Sequence, residues 1–150
     1  MLIETKEIRM AFQLHSRLQQ DCIILGNLPL CQVLMIKEDI GPWLILVPRI
    51  ENLKEIHHMT AEQQIQFIQE SSAVAQLLED NFTPDKINIG ALGNLVPQLH
   101  IHHIARFTTD CAWPGPVWGN TNGIIREQSA QTALVYQLRD KLDAISGFKR

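Results

Sequence analysis

The sequence predicts an α+β fold: an antiparallel sheet of about five strands, a long helix packed on it, and further helices at the N- and C-terminal ends. Three observations carry this reading. Residues 22–47 hold three short apolar runs separated by turn residues, and Thr60 to Phe82 holds a long capped stretch of helical period. Residues 86–107 then hold two more strand-like runs, close enough in sequence to pair antiparallel.

In chain order, residues 8–21 (Ile8, Phe12, Leu14, Leu18) read as a first helix ending near Asp21-Cys22. Cys22 to Gly26 and Leu30 to Ile36 read as two strands of a hairpin, reversed at Gly26-Asn27-Leu28-Pro29. The acidic turn Lys37 to Pro42 leads into Trp43 to Val47, whose near-continuous apolar character suits a strand buried on both faces, in the middle of the sheet. Thr60 and Gln63 form a capping box opening the long helix, with Ala61, Ile65, Ile68, Ala75, Leu78 and Phe82 as its packing stripe and Thr83-Pro84-Asp85 as its end. Lys86 to Leu92 reads as a strand, Gly93 to Pro97 as a loop, and Gln98 to Phe107 as the strand that pairs with it. The segment Asp110 to Gly119, rich in tryptophan, proline and glycine, cannot continue a sheet. Trp113 and Trp118 either wall the site or cover a sheet edge or subunit contact. A last helix over residues 125–146 carries Ala130, Leu134, Leu138, Leu142 and Ile145 on one stripe.

The chain has 150 residues, 45% of them apolar, enough for one well-filled domain spanning residues 1–150, with a core over about 8–107 and an appended aromatic loop and helix over 108–150. A net charge of -3 offers no broad basic field, which argues against nucleic-acid or anionic-membrane binding. Cys22, Cys31 and Cys111 are odd in number and lack metal-type spacing; no signal-peptide segment and no spanning run is evident, so a cytoplasmic protein is expected.

Chemistry concentrates in Gln98-Leu99-His100-Ile101-His102-His103-Ile104-Ala105-Arg106. In an extended chain Gln98, His100, His102 and Ile104 share one face, and Leu99, Ile101, His103 and Ala105 the other. Two imidazoles at i and i+2 can reach one phosphate or one metal, whereas His103 belongs to packing. Each histidine also has a bland reading, as a buried ring satisfied by neighbours. A His-x-His metal chelate needs a third ligand, and no nearby His, Asp or Cys is convincingly placed to supply it. His57 and His58, just before the long helix, read as a solvated loop. Glycines at 90 and 93 let the backbone approach a ligand, or simply make turns.

Gln-Leu-His-Ile-His-His-Ile-Ala-Arg resembles the signature of the histidine triad (HIT) nucleotide hydrolases and transferases, in which His-x-His-x-His is interleaved with apolar residues. Asn88-x-Gly90-x-x-Gly93-Asn94 resembles their glycine-rich approach, and Leu44 to Arg49 their central strand ending in proline; the likeness covers roughly residues 20–107. Gln98 stands at the first triad position, as in a bacterial-type variant, and Trp43 stands where many members carry a further histidine. The resemblance implies a HIT-like fold and a nucleotidyl-histidine intermediate on His100, oriented by the main-chain carbonyl of Gln98. Neutral imidazole suits that role, being unprotonated near neutral pH without a buried charge. It implies that His102 hydrogen-bonds a phosphate oxygen or assists the leaving group, that Asn94 and Asn88 contact phosphate or line the site, and that Glu38 holds the ribose. Substrates would be nucleotide phosphoanhydrides or phosphoramidates, dinucleoside polyphosphates among them, with no required cofactor beyond a divalent ion accompanying the phosphates. A homodimer is implied too. Gln98 and Trp43 keep a second reading open, a module that binds nucleotide without turning it over.

Overall fold

A computed structural model describes residues 12–150. Five strands form one antiparallel sheet: β1 (Cys22–Asn27), β2 (Cys31–Ile36), β3 (Trp43–Pro48), β4 (Lys86–Gly90) and β5 (Ile101–Arg106), in the spatial order β1-β2-β3-β5-β4. The helices are α1 (Ser16–Asp21), α2 (Ala61–Phe82) and α3 (Gln128–Leu142). This is the α+β architecture the sequence predicts, with β3 in the middle.

All six residues of β3 are buried, because both faces of the sheet are covered. Leu44 and Leu46 join Val33, Met35, Val74, Leu78, Ile101 and Leu138 beneath α2 and α3. Trp43, Ile45 and Val47 join Leu18, Leu34, Val96, Ile104 and Val117 on the opposite side. That second side carries His100 and His102 and, among the described residues, has no long helix over it.

The capping box opens α2 as expected: Gln63 N–H donates to Thr60 Oγ1 at 3.2 Å and Thr60 N–H donates to Gln63 Oε1 at 2.9 Å. The buried stripe differs from the expected one. Phe67, Glu70, Ser71, Val74, Leu77 and Leu78 face the sheet, while Ile65 and Ile68 are left 58% and 56% exposed. Hydrogen bonds, not hydropathy, turn this helix. The Glu70 carboxylate accepts the backbone N–H groups of Leu30 (2.7 Å) and Cys31 (2.9 Å), and Ser71 Oγ meets His103 Nε2 at 2.7 Å. Charge-assisted bonds of this kind each outweigh the burial of a methylene or two.

The first helix was expected over 8–21 but begins at Ser16; residues 8–11 of that expectation lie outside the described residues. The Gln98 side-chain amide explains the late start, since its oxygen accepts His15 N–H at 2.9 Å and its nitrogen donates to the Gln13 carbonyl at 2.9 Å, holding residues 13–15 out of helix. The last helix is also shorter than 125–146. Ile125 pairs with Glu38, Arg126 N–H donates to the Lys37 carbonyl, and at the far end Lys149 pairs with Asn27 of β1. On α3, Leu138 and Leu142 are buried as expected, joined by Gln131 and Val135, whereas Ala130 is exposed.

Candidate active site

The antiparallel register places His102 opposite Ile45 on β3 and Gly90 on β4, with Trp43 two pairs further along, opposite Ile104. A side chain diagonal to another across a strand pair is within reach if it is long or aromatic. Trp43 accordingly reaches back: its indole N–H donates to His102 Nδ1 at 2.9 Å. On the other flank Gly90 leaves room that Trp118 fills, and a Cβ there would stand 2.8 Å from the indole ring. Trp118 therefore packs edge-on to His102, ring centroids 5.3 Å apart.

His100 immediately precedes β5, not within it as expected, and its Nδ1 lies 2.7 Å from the Gln98 carbonyl. A carbonyl only accepts, so Nδ1 carries the proton and neutral His100 keeps its free lone pair on Nε2. His102 has the opposite tautomer, since an indole only donates: Nδ1 bears the lone pair and Nε2 the proton. The two rings are 5.1 Å apart, and each residue is 7% exposed. Burial, reinforced by the neighbouring His100 and His103, pushes the His102 pKa down from 6.5 to about 3. His103 is fully buried on the α2 side between Ser71 and the Ile101 carbonyl, and burial lowers it to about 4. Its packing role is as expected.

His100 and His102 open into a cavity of about 440 Å³. Its floor is apolar, made by Leu18, Cys22, Ile36, Ile45 and Val96, and Trp43 and Trp118 stand beside the histidines. Arg17 and Asp21 of α1, an exposed pair 3.7 Å apart, supply its charged rim. The loop after β4, which ends at Gly90 and not at Leu92, brings Asn94 and the exposed Leu92 and Leu95 to the mouth, with Gly93 at φ 72° making the turn. An apolar slot leading to convergent nitrogens suits a flat ring with an attached anion.

The remaining sequence candidates fall outside this lining. The Gln98 side chain leaves the shared face expected of it and turns to the N-terminal segment; only its carbonyl serves His100. Asn88 Oδ1 accepts from Arg106 Nη1 at 2.8 Å. Glu38 lies beyond the cavity, its carbonyl accepting from Arg126 Nη2 at 3.0 Å, and buried Glu38 Oε2 has no hydrogen-bond partner among the described residues. The 37–42 turn is tied to the C-terminal segment through Ile125 and Arg126, which sequence order alone does not reveal. Conversely, Arg17, Asp21 and the Trp43 hydrogen bond were not anticipated. Trp43 was expected to remove a polar neighbour from the histidines; its indole N–H supplies one.

The segment after β5 is anchored by Arg106, whose buried guanidinium pairs with Asp110, bonds the Gly115 carbonyl and lies 5.6 Å from the Trp113 ring. The Arg106 hydrogen bonds hold the Asp110 carboxyl below its ordinary range. Of the two readings of the aromatic segment, the wall is met by Trp118, which lines the cavity, while Trp113 lies against Arg106 of the internal strand β5. Among the described residues, no group of three or more His, Cys, Asp or Glu side chains is placed to hold a metal ion, and no helix is long and apolar enough to cross a membrane.

Residues 17–109 match the family model described as the HIT domain. Among solved structures, a histidine triad protein from Bradyrhizobium japonicum is similar at 47% identity and TM-score 0.85, covering 88% of this chain and 98% of that one. A histidine triad protein from Marinobacter aquaeolei VT8 is similar at 42% identity and TM-score 0.87, with 91% and 100% covered. A histidine triad (HIT) protein from Sinorhizobium meliloti 1021 is similar at 40% identity and TM-score 0.83, with 87% and 97% covered. No curated protein matches the sequence.

Proposed function

The chain belongs to the histidine triad (HIT) family, and from that premise we propose that it is a nucleotide hydrolase or nucleotidyl transferase that cleaves a phosphoanhydride or phosphoramidate through His100. The observation that carries the proposal is the 2.7 Å contact from His100 Nδ1 to the Gln98 carbonyl, which leaves Nε2 as the free nitrogen of a ring lining an apolar cavity. In the first step His100 Nε2 bonds to the α-phosphorus and the bond to the leaving group breaks with its electron pair. Water or an acceptor then displaces the nucleotidyl group and returns the lone pair to Nε2.

The base would lie against Leu18, Ile36 and Ile45, with His102 Nε2–H and Asn94 donating to phosphate oxygens. Asn88 then acts indirectly, by holding Arg106, and Glu38 has no contact role in this scheme. We assign no resident cofactor; a divalent ion belongs here only as a companion of the substrate's phosphates. A cytoplasmic setting fits three free cysteines. We further propose a homodimer formed along β4. The outer edge of β1 is occupied by Lys149 and by Arg139, which donates to the Leu25 and Ile24 carbonyls, whereas β4 is an edge unpaired among the described residues, its Ile89 52% exposed. Light scattering giving a monomer mass at micromolar concentration overturns the dimer.

Rapid-quench labelling with α-phosphate-labelled dinucleoside polyphosphates and nucleoside phosphoramidates tests the chemistry. Labelled enzyme should form within the first turnover and be absent from His100→Ala. No label, with turnover unchanged in His100→Ala, overturns the mechanism; tight binding without turnover across the panel assigns the chain to nucleotide-binding modules.

A further inference from the structure

The neighbouring rings of His100 and His102 are set to opposite tautomers by two different groups, a main-chain carbonyl and an indole. From the second of these we infer that Trp43 is a positioning residue that keeps His102 a neutral Nε2–H donor, so that the site favours nucleotides whose leaving group departs as a stable anion over those whose leaving group must be protonated. The inference rests on the nucleotidyl-histidine reading above.

The argument starts from valence. An indole nitrogen can donate a hydrogen bond and cannot accept one. Converting His102 to imidazolium places a proton on Nδ1, and two N–H groups would then confront each other across 2.9 Å. The loss of that buried bond adds to the cost of burying a charge. A neutral imidazole with its proton on Nε2 can stabilise charge on a phosphate oxygen, but giving that proton away would leave imidazolate, far outside ordinary aqueous chemistry. His102 can polarise; it cannot act as the acid.

Among the described residues, nothing around His102 relieves this. Its chain neighbours are His100, just before β5, and, on the other face of the sheet, the buried His103. From β3 come Trp43 and Ile45, from β4 the bare backbone of Gly90, and from the segment after β5 the ring of Trp118. Across the cavity, α1 presents Arg17 and Asp21, already paired with one another, and β1 presents Cys22, whose thiol burial pushes up to about 12. Asn94 offers only an amide. Gln98, at the first triad position of the resemblance, has no titratable group and points elsewhere.

The chemistry balances without an acid when the leaving group is a phosphate, polyphosphate or carboxylate. His100 Nε2 bonds to phosphorus, the phosphorus–oxygen bond breaks, and its electron pair stays on a leaving oxygen that is stable as an anion. Water then attacks phosphorus, the phosphorus–nitrogen bond breaks with its pair returning to Nε2, and the water's proton passes to solvent. An amine leaving group needs a proton as its bond to phosphorus breaks, and general-acid help is worth about 10²–10⁴-fold.

Two measurements on the full-length chain test this. Two-bond ¹H–¹⁵N spectra of ¹⁵N-histidine-labelled protein, with His102 assigned by its absence in His102→Gln, should show the Nε2–H tautomer unchanged from about pH 5 to 8. In Trp43→Phe, which removes the donor facing Nδ1, that preference should be lost and the Nδ1–H tautomer of His102 should become populated. A wild-type His102 that is Nδ1-protonated, or that titrates near its ordinary value, overturns the inference without any variant having to fold. The second measurement compares kcat/KM for an adenylate with a phosphate leaving group and the matching phosphoramidate. The wild type should prefer the anhydride by about 100-fold or more, and Trp43→His, whose imidazole can accept as well as donate, should narrow that ratio at least about tenfold. Equal rates in the wild type, or a ratio that Trp43→His leaves unchanged, overturn it. If neither substrate turns over and no label reaches His100, the hydrolase reading and the leaving-group preference fall together, while the tautomer measurement still decides the role of Trp43.

Discussion

Acidification from about pH 7 to about pH 5.5 should destabilise the protein through His102 and His103. In the folded chain burial holds their pKa values near 3 and 4, whereas unfolding returns both toward 6.5. Between these values the unfolded chain binds protons that the folded chain refuses. The sign follows: stability is intact above about 6.5 and drains away as the pH falls. Each ring costs about 1.4 kcal/mol per pH unit below 6.5, so the pair removes about 2.5–3 kcal/mol by pH 5.5. Neither ring is solvent-screened, with 7% and 0% of their surfaces exposed. Against a typical total of about 5–15 kcal/mol that is a large loss. Urea unfolding followed by far-ultraviolet circular dichroism at several pH values measures it. A double variant, His102→Gln with His103→Asn, should start lower but lose most of the slope. A wild-type unfolding free energy that is flat to within about 0.5 kcal/mol over this range would refute the reasoning, since 1.4 kcal/mol per unit and group is a thermodynamic requirement of the shifted values.

Glu70→Gln should cost about 1–3 kcal/mol in urea unfolding, because an amide nitrogen would replace one of the two oxygens that accept Leu30 and Cys31 N–H. Arg106→Met removes one partner of a pair whose side chains are 2% and 4% exposed, so it should cost about 3–5 kcal/mol in the same assay and change the near-ultraviolet signal of Trp113 and Trp118. Gly90→Ala sets a methyl 2.8 Å from the Trp118 ring; it should shift tryptophan emission and weaken nucleotide binding at least about fivefold by fluorescence titration, with thermal stability reduced by about 1–3 kcal/mol.

The five strands, the central place of β3 and the capped start of α2 were legible because each is written locally, in hydropathic runs and in Thr60 with Gln63, whereas the pairing of β3 with β5 was not. The face α2 presents was not legible. A hydropathic stripe ranks Ile65 and Ile68 above Glu70 and Ser71, and nothing at residue 70 announces that two backbone donors 39 and 40 positions away await a carboxylate. The site divides the same way. His100, His102 and Asn94, which line the cavity, were legible because they lie within one short stretch, and the carbonyl of Gln98 beside His100 was implied by the resemblance. Arg17 and Asp21 reach the cavity only because α1 sits over the sheet's second face, a matter of tertiary packing. Glu38 was placed by counting along a turn, and Arg126, 88 residues away, takes its carbonyl.

Gln98 joins two things usually considered apart. Its peptide oxygen steadies the His100 ring, while its carboxamide clasps the strip of chain at Gln13 and His15. Trimming the chain back past residue 15 would therefore strip two bonds from the clasp and loosen the very peptide that aims His100. The amino-terminal arm, some 85 residues upstream, is thus mechanically coupled to the paired histidines.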